Sequence, residues 1–291
     1  MSPTGFSAFI AKENNMYNKV YVEITNICNM SCSFCHGHSR APRKMSKEEF
    51  VCILEKLAGH TKYIYYHLMG EPLTHPLLPE FIELASQHGY RSILTTNGTL
   101  LHKRQSALLS AGLHKVNLSI HSFEDGDSGD QVRYISMLAD FAINAANEGT
   151  IVVFRLWNKG FDNGKNESAL KILQENIPGD WVDNTRGIRV REKIYVEFGE
   201  RFEWPDSNGK IQDNHFRCYG LKDQFGILAD GTVVPCCLDS DGIIALGNIF
   251  KENIEDILTS KRATDIVKGF KCGHAAEDLC KRCGYAQRFR Y

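Results

Sequence analysis

The stretch ITNICNMSCSFCHGH, residues 24–38, carries three of the chain's ten cysteines on one short segment. Their spacing is C-x3-C-x2-C, and they are Cys28, Cys32 and Cys35. Three thiolates on one loop can hold three irons of a cubane cluster and leave the fourth iron open. Zinc is the alternative, and a closed zinc site would need its fourth ligand from a following histidine, His36 or His38.

Short β-branched or aromatic runs alternate with helical patterns through the first two thirds of the chain. These runs predict buried strands at 20–25, 63–69, 91–96, 115–121 and 151–157. Apolar residues at helical spacing predict helices at 46–57, 79–88, 102–111 and 131–147, and Ser46 and Glu49 form a capping box before the first. Such alternation predicts an α/β fold, a partial (β/α)6 TIM-like barrel. Its ligands would lie at the carboxyl ends of the strands, where the cysteine segment emerges.

The pattern changes after about residue 200. The run FGILADGTVVP, residues 225–235, predicts a hairpin with Asp230-Gly231 as its turn, and short helices are predicted at 253–258 and 262–269. We predict a barrel domain at 1–205 and a small domain at 206–291, with 204–214 as the linker. Cys218 and Cys236 flank this hairpin, and Cys280 and Cys283 form a C-x2-C turn near the end of the chain. Four such thiolates can close around one metal centre. A structural zinc ribbon is the alternative for this spacing.

Composition and charge restrict the class of protein. The formal net charge is -1, so no overall field favours duplex nucleic acid or a membrane surface. No apolar run approaches the ~18 residues of a membrane span, and the start of the chain lacks the order of a secretory signal. Because cytosolic thiols stay reduced, ten cysteines without an export signal indicate metal or redox chemistry in the cytoplasm.

The cysteine triplet, with Phe34 before its last member, resembles the signature of the radical S-adenosylmethionine (SAM) superfamily. The resemblance continues at successive predicted strands with MGEP at 69–72, TTNG at 95–98, SIHS at 119–122 and VVFRLWN at 152–158. Each motif alone is typical of an ordinary turn, loop or surface charge, and their joint occurrence carries the assignment. The resemblance implies a SAM site formed by Phe34, Gly70, Glu71, Pro72, Thr96, Asn97, Ser119, His121 and Arg155.

The resemblance also implies a reaction. SAM chelates the open iron of a [4Fe-4S] cluster, and one electron cleaves it to a 5'-deoxyadenosyl radical that takes a hydrogen atom from the substrate. Glu71 would pair with the SAM ammonium, Arg155 with its carboxylate, and Phe34 would lie against adenine. No further catalytic residue is identified, although His67, His121 and Asp239 are candidate acid or base groups.

The C-terminal cysteines resemble those of the SPASM/Twitch group, whose extension carries auxiliary clusters. A full SPASM pattern has two more cysteines, and none follows Cys283 here, so the resemblance is to the Twitch form with one auxiliary [4Fe-4S] cluster. The chain would then hold two [4Fe-4S] clusters. The G-x4-C spacing selects Cys236 over Cys237, so the expected ligands are Cys218, Cys236, Cys280 and Cys283. Replacement of a ligand by Cys237 or Cys272 stays open.

The substrate implied is a small polar molecule, such as a sugar, an aminocyclitol or a nucleoside-like compound, with a flavodoxin or ferredoxin as electron donor. Only 27 residues precede Cys28, fewer than a leader-binding module needs, which disfavours a peptide substrate and leaves a peptide-modifying maturase as an alternative. A second alternative is a radical lyase acting on a modified nucleoside such as queuosine 5'-phosphate. It is suggested by a basic and aromatic stretch that contains Lys281, Arg282, Tyr285, Arg288, Phe289 and Arg290. A non-catalytic iron-sulfur or zinc protein is the rival from another class.

Overall fold

Strands and helices alternate along the chain in the computed structural model, which describes residues 16–123, 128–212 and 215–289. The strands in these residues are β1 (Lys19–Val22), β2 (Tyr63–Tyr66), β3 (Arg91–Thr96), β4 (Lys115–Leu118), β5 (Ile151–Lys159), β6 (Val182–Asn184), β7 (Gly187–Arg191), β8 (Ile194–Glu200), β9 (Gln224–Ile227), β10 (Thr232–Val234) and β11 (Gly247–Asn248). The α-helices are α1 (Lys47–Lys56), α2 (Leu78–Gln87), α3 (Gln105–Ser110), α4 (Ser128–Asn147), α5 (Lys165–Asn176), α6 (Ile254–Leu258), α7 (Lys261–Lys271) and α8 (Asp278–Lys281).

All strands belong to one open sheet in the order β11-β10-β9-β1-β2-β3-β4-β5-β8-β7-β6. At its centre, the neighbouring strands β1, β2, β3, β4, β5 and β8 pair in parallel in that order. Strand β9 also pairs in parallel with β1. Helices connect the parallel strands, as crossovers require. The predicted α/β class and partial barrel are confirmed.

Several elements differ from the sequence-based prediction. Helix α5 and the antiparallel hairpin of β6 and β7 were not predicted, and the sixth parallel strand that a (β/α)6 barrel requires, β8, was not located in the sequence. Strand β4 ends at Leu118, and a 3-10 helix, Ile120–Phe123, follows it where we predicted continued strand. The predicted hairpin of β9 and β10 is present, with Val233 opposite Ile227. The domain boundary that we predict at residue 205 falls between β8 and β9.

The two faces of each central strand have different environments. Val20 and Val22 of β1 and Phe154 of β5 face the helices and are fully buried in the main core. Tyr21 and Tyr65 lie on the opposite face, which lines the barrel interior. This alternation follows from the two-residue period of a strand. It places polar side chains from several strands around one interior space.

Two local predictions from the sequence can be compared with the structure, the capping box before α1 and the lack of a membrane span. The capping box at α1 is confirmed. The Glu49 amide donates a hydrogen bond to Ser46 Oγ at 3.2 Å, and the Ser46 amide donates one to Glu49 Oε2 at 2.9 Å. Within the part of the chain that the structure describes, no helix has both the length and the apolar character that crossing a bilayer requires.

Candidate active site

The cysteine triplet lies on a loop, residues 27–42, which we call the cluster loop. Its base is closed by Asn26, whose side-chain amide donates to the Ala41 carbonyl at 2.9 Å and accepts the Arg43 amide at 2.7 Å. A turn within the loop is held by the Cys35 amide, which donates to the Cys32 carbonyl at 3.1 Å. The loop therefore leaves and re-enters the barrel at one point, at the carboxyl end of β1.

The thiols of the cluster loop lie at the rim of the barrel. Cys28 and Cys35 are exposed and Cys32 is half-buried, with its sulfur 3.8 Å from the Ser122 carbonyl oxygen. Partial burial raises the pKa of the Cys28 thiol, and the negative charges of Glu71 and Cys35 raise it further. Cys28 therefore lies close enough to Glu71 and Cys35 for their charges to act on it.

Gly70 packs directly against the base of the cluster loop. Its φ is +74°, and a Cβ atom here would lie 2.5 Å from the Thr25 carbonyl oxygen. A side chain is excluded by both the conformation and the contact. The next residue, Glu71, donates its amide to the Ile27 carbonyl at 2.9 Å, and Pro72 begins a 3-10 helix. Glycine at this position therefore brings the motif at the end of β2 into contact with the cysteine loop.

The Glu71 carboxylate is buried, with 2% of the residue exposed, and it joins the ends of β2 and β3. It accepts hydrogen bonds from the Leu73 amide at 2.9 Å, the Thr96 hydroxyl at 2.7 Å and the Asn97 amide at 2.8 Å. Burial raises its pKa, while these hydrogen bonds act in the opposite direction. A carboxylate has about four acceptor positions, so one remains for a donor on a ligand.

The motifs at the ends of β3 and β4 serve the site in different ways. The Asn97 side chain donates to Asn29 of the cluster loop at 3.0 Å. Thr96 is buried, and its hydroxyl is occupied by Glu71 and by the Gly98 amide, so it acts through Glu71. Ser119 is half-buried and donates its amide to the Thr96 carbonyl at 2.9 Å. Four successive strand ends thus meet around the cluster loop.

Phe34 lies between two side chains that come from the far side of the rim. The His121 ring is 5.0 Å from the Phe34 ring, and the Arg201 guanidinium is 5.5 Å from it. His121 Nδ1 donates to the Arg155 carbonyl at 3.0 Å. Burial, with the positive charges of Arg155 and Arg201, lowers the pKa of His121 to about 4, so the imidazole is neutral near pH 7.

Arg155 projects from β5 into the barrel interior. Its guanidinium carbon lies 4.6 Å from the centre of the Trp157 ring, and its buried Nε has no hydrogen-bond partner among the described residues. Burial lowers the pKa of Arg155, and the negative charge of Glu197 on β8 opposes this shift. An unpartnered donor on a charged side chain is costly to bury, which suits a ligand with an acceptor group at this place.

The interior opposite Arg155 is lined by Tyr21, Tyr65, His67 and Cys237, and we call these four residues with Arg155 the interior set. The Tyr21 ring is 5.2 Å from the Tyr65 ring and 6.0 Å from the His67 ring, and its hydroxyl donates to Gln224 Oε1 at 3.4 Å. Burial and the charge of Arg155 lower the pKa of His67 to about 4. The interior therefore combines these polar and aromatic side chains with the buried aliphatic residues Leu68, Leu228 and Val234, which pack with Tyr21.

A second group of thiols gathers in the C-terminal segment. Burial raises the pKa of Cys236 well above its usual value, and four cysteine charges add to this shift, those of Cys237, Cys218, Cys280 and Cys283. The Cys283 pKa is likewise raised, to about 11, mainly by burial. We call Cys218, Cys236, Cys280 and Cys283 the C-terminal thiols. Four mutually repelling thiolates in a buried position fit a cationic iron-sulfur core, which neutralises its ligands.

The remaining cysteines have different surroundings. Cys237 packs beside Tyr21 and Tyr65, and its charge also acts on the neighbouring Cys236 and raises the pKa of that thiol. Cys272 is exposed at the end of α7, and Cys52 is half-buried on α1. In residues 16–123, 128–212 and 215–289, no group of three or more His, Cys, Asp or Glu side chains could hold a metal ion as it stands. The thiols of each group must therefore turn toward a common centre to bind one.

Three further candidates have structural partners. The Asp239 carboxylate accepts the Ile243 and Ile244 amides at 2.9 and 2.8 Å, which fits the stabilisation of a loop. Arg282 pairs with Asp278 and donates to the Gly209 carbonyl. Arg288 stacks 4.7 Å from the Tyr285 ring and donates to the Glu200 carbonyl at 2.5 Å. Arg290 lies outside the described residues.

Together, a β/α barrel with a cysteine triplet at its carboxyl edge and a second, half-buried thiol group define an iron-sulfur protein. The family model of the radical SAM superfamily matches residues 22–142, and that of an iron-sulfur cluster-binding domain, SPASM, matches residues 218–284. The chain belongs to the radical SAM superfamily and to its SPASM/Twitch group. Members of this superfamily are enzymes, and the two family models indicate SAM, a [4Fe-4S] cluster and an auxiliary cluster as cofactors.

Relatives with known names differ in what they act on. A GTP 3',8-cyclase of Chlorobaculum tepidum is 28% identical over 54% of this chain and 50% of its own length. A probable GTP 3',8-cyclase of Saccharolobus islandicus is 34% identical over 81% of this chain and 88% of its own. The sporulation killing factor maturation protein SkfB of Bacillus subtilis is 26% identical over 86% of this chain and 68% of its own. The chain thus spans half the length of the first of these relatives.

Solved structures support the fold. The crystal structure of BtrN in complex with AdoMet and 2-DOIA superimposes with a TM-score of 0.56 at 20% identity, and it covers 92% of this chain and 93% of its own. This superposition shows that the two proteins share the fold of a barrel with a C-terminal extension.

Several residues of the site were not found from the sequence. Asn29 bonds to Asn97, Arg201 faces Phe34, and Glu23 pairs with Arg40. Glu23 carried a signal, because a charged residue within an apolar run predicted as a buried strand needs a partner. Arg201 follows β8, which was itself not predicted, so nothing in the sequence placed it near the triplet.

Proposed function

We propose that this enzyme acts on a small polar molecule, a sugar, an aminocyclitol or a nucleoside-like compound, bound in the barrel interior. The interior set carries this proposal, because it offers hydroxyl, imidazole, thiol and guanidinium groups within one space. A substrate with several hydroxyl or amino groups would satisfy these side chains, whereas an apolar one would leave them unpaired.

The proposed cofactor site follows from the rim. Cys28, Cys32 and Cys35 would hold the first cluster, and bound SAM would supply a 5'-deoxyadenosyl radical for hydrogen abstraction. Glu71 would accept a hydrogen bond from the SAM ammonium at its remaining acceptor position, and Arg155 would pair with the carboxylate. The exposure of Cys28 and Cys35 supports electron delivery by a docked flavodoxin or ferredoxin.

The C-terminal thiols would hold the auxiliary cluster, with Cys237 as a non-ligand. Their partial burial and mutual repulsion support this ligand set. Cys237, the neighbour of Cys236, belongs to the interior set, so a substrate there would lie between the cluster loop and the C-terminal segment.

Modification of a peptide is the second candidate. The match to SkfB, a maturation protein, over 86% of this chain favours it. A phosphorylated nucleoside is supported less, because Arg282 and Arg288 are both hydrogen-bonded to main-chain carbonyls and hold the fold.

Anaerobic reconstitution tests the proposal. The protein is incubated with SAM and dithionite, alone and with a panel of sugars, aminocyclitols, nucleotides and short peptides, and 5'-deoxyadenosine is measured. We expect release that a small polar compound stimulates, and that is lost when the three cysteines of the cluster loop are replaced by alanine. Cys272→Ala, at an exposed cysteine outside both groups, is the matched control and should behave as wild type. Stimulation by peptides alone would replace the proposal with the second candidate.

A further inference from the structure

Glu23 is a fully enclosed carboxylate at the end of β1, with 1% of the residue exposed. Both its oxygens are bound by one guanidinium, because Arg40 Nη1 donates to Oε1 and Nη2 to Oε2, each at 2.7 Å. The Ala229 amide also donates to Oε1, and the Met69 amide to Oε2, each at 3.1 Å. Four donors thus saturate the acceptor positions of this carboxylate.

The donors come from three segments that the proposed mechanism must bring together. Arg40 belongs to the cluster loop, and Met69 precedes Gly70 and Glu71. Ala229 lies in the turn between β9 and β10, on the way to Cys236. Glu23 is therefore the one carboxylate among the described residues that is bonded to all three segments.

Arg40 extends the same connection further into the C-terminal segment. Its Nε donates to the Ser240 carbonyl at 2.8 Å. The preceding residue, Ser39, donates its amide and its hydroxyl to Asp241 Oδ1 at 2.6 and 2.9 Å. The cluster loop is thus bonded through both Ser39 and Arg40 to the region that follows Cys236.

Stability alone does not account for a buried ion pair of this kind. A well-packed apolar pair of similar volume is often as stable or more so, because both charges must leave water. A planar fork of two hydrogen bonds adds what an apolar contact lacks, a fixed distance and a fixed orientation between its segments.

We propose that Glu23 and Arg40 are positioning residues, which hold the Met69–Pro72 motif after β2 and the C-terminal thiols in a fixed relation to the first cluster. The inference rests on the proposed function, because it takes the two cysteine groups as cluster ligands. Neither residue touches the reacting atoms. Each acts through the backbone that it fastens.

Three variants test the proposal in the reconstituted full-length chain. Glu23→Gln removes the charge and keeps the shape, Arg40→Lys keeps the charge and removes the fork, and Asp241→Asn weakens the attachment of Ser39. Lys56→Met is the matched control, because Lys56 also joins the barrel to the C-terminal segment, donating to the Glu252 carbonyl at 2.9 Å, but from α1 on the outer layer. The measurements are iron content, the SAM dissociation constant, the EPR spectra of both reduced clusters, and melting temperature.

We expect Glu23→Gln to keep its iron, to bind SAM about tenfold more weakly, and to change the EPR spectra of both clusters. Arg40→Lys should show smaller changes in the same direction, and Lys56→Met should lower the melting temperature alone. If all three variants match wild type in SAM affinity and spectra while melting earlier, the pair only stabilises the fold and the proposal is wrong. Should Glu23→Gln fail to fold, Arg40→Lys and Asp241→Asn decide between these outcomes. Wild-type protein that binds no SAM, or only one cluster, would instead contradict the proposed function.

Discussion

Gly70→Ala would show how strongly the close approach between β2 and the cluster loop shapes the site. At Gly70 the φ is +74°, and an added Cβ would lie 2.5 Å from the Thr25 carbonyl oxygen and 2.9 Å from the Asn26 Cα. The left-handed conformation costs a non-glycine residue about 1–2 kcal/mol. Overlap with main-chain atoms that cannot rotate away adds about 1–3 kcal/mol. We therefore expect the free energy of unfolding to fall by about 2–5 kcal/mol.

Gly59→Ala separates the two contributions. Gly59 has a φ of +80°, but a Cβ there meets nothing within 4 Å. This control should lose only the conformational part, about 1–2 kcal/mol. The difference between the two variants then measures the overlap at Gly70.

Anaerobic urea unfolding, followed by far-ultraviolet circular dichroism, gives both free energies, and equilibrium dialysis gives the affinity for SAM. Because Thr25 and Asn26 form the base of the cluster loop, Gly70→Ala should weaken SAM binding while Gly59→Ala should not. Equal losses of stability and equal SAM affinities in the two variants would refute the argument.

Three further measurements address the cofactors and the interior. We expect about eight irons per chain, of which Cys236→Ala should lose the auxiliary half while Cys237→Ala keeps all; equal iron in both variants would contradict the ligand assignment. Glu71→Gln should weaken SAM binding by about 1.5–3 kcal/mol while the cluster spectrum persists, and an unchanged dissociation constant would count against the ammonium contact. Because the pKa of His67 is lowered to about 4 from 6.5, the unfolded chain takes up a proton first, and stability should fall by up to about 3 kcal/mol as pH drops between these values. Unfolding of His67→Gln should show a shallower fall, and identical pH profiles would remove His67 as the cause.

Local signals in the sequence were sufficient for the first five parallel strands, β1 to β5, and for the cluster loop. Strand β3, for example, has the predicted bounds, because a β-branched run is followed directly by Asn97-Gly98. The predicted strand at 115–121 extends into the 3-10 helix at Ile120–Phe123, because a short apolar run is compatible with both helical and strand periodicity. Strand β6 is exposed along its whole length, so it has no buried face from which a pattern could be read.

The sequence predicted those parts of the site in which the residue type itself carries the chemistry. It did not predict the parts that depend on contacts between residues far apart in the chain. Cysteine spacing and the Gly-Glu motif marked the rim, whereas the partner of Glu23 could not be read from the chain. Thr96 shows the limit within a motif, since the position was identified but its hydroxyl serves Glu71 from a buried position. A motif match predicts where a residue lies, whereas its hydrogen bonds in the structure show which group it acts on.

The pairing of β1 with β9 explains how two cysteine groups that lie far apart in the sequence come to serve one interior. The strands are parallel, with Lys19 opposite Gln224 and Val22 opposite Ile227, so both chains leave the sheet at the same edge. From that edge β1 leads into the cluster loop, and β9 leads into the hairpin that ends near Cys236. Had the two strands been antiparallel, β9 would have delivered its hairpin to the opposite end of the barrel, away from the cluster loop. The direction of this one pairing therefore decides that the polar interior can be approached from both cysteine groups.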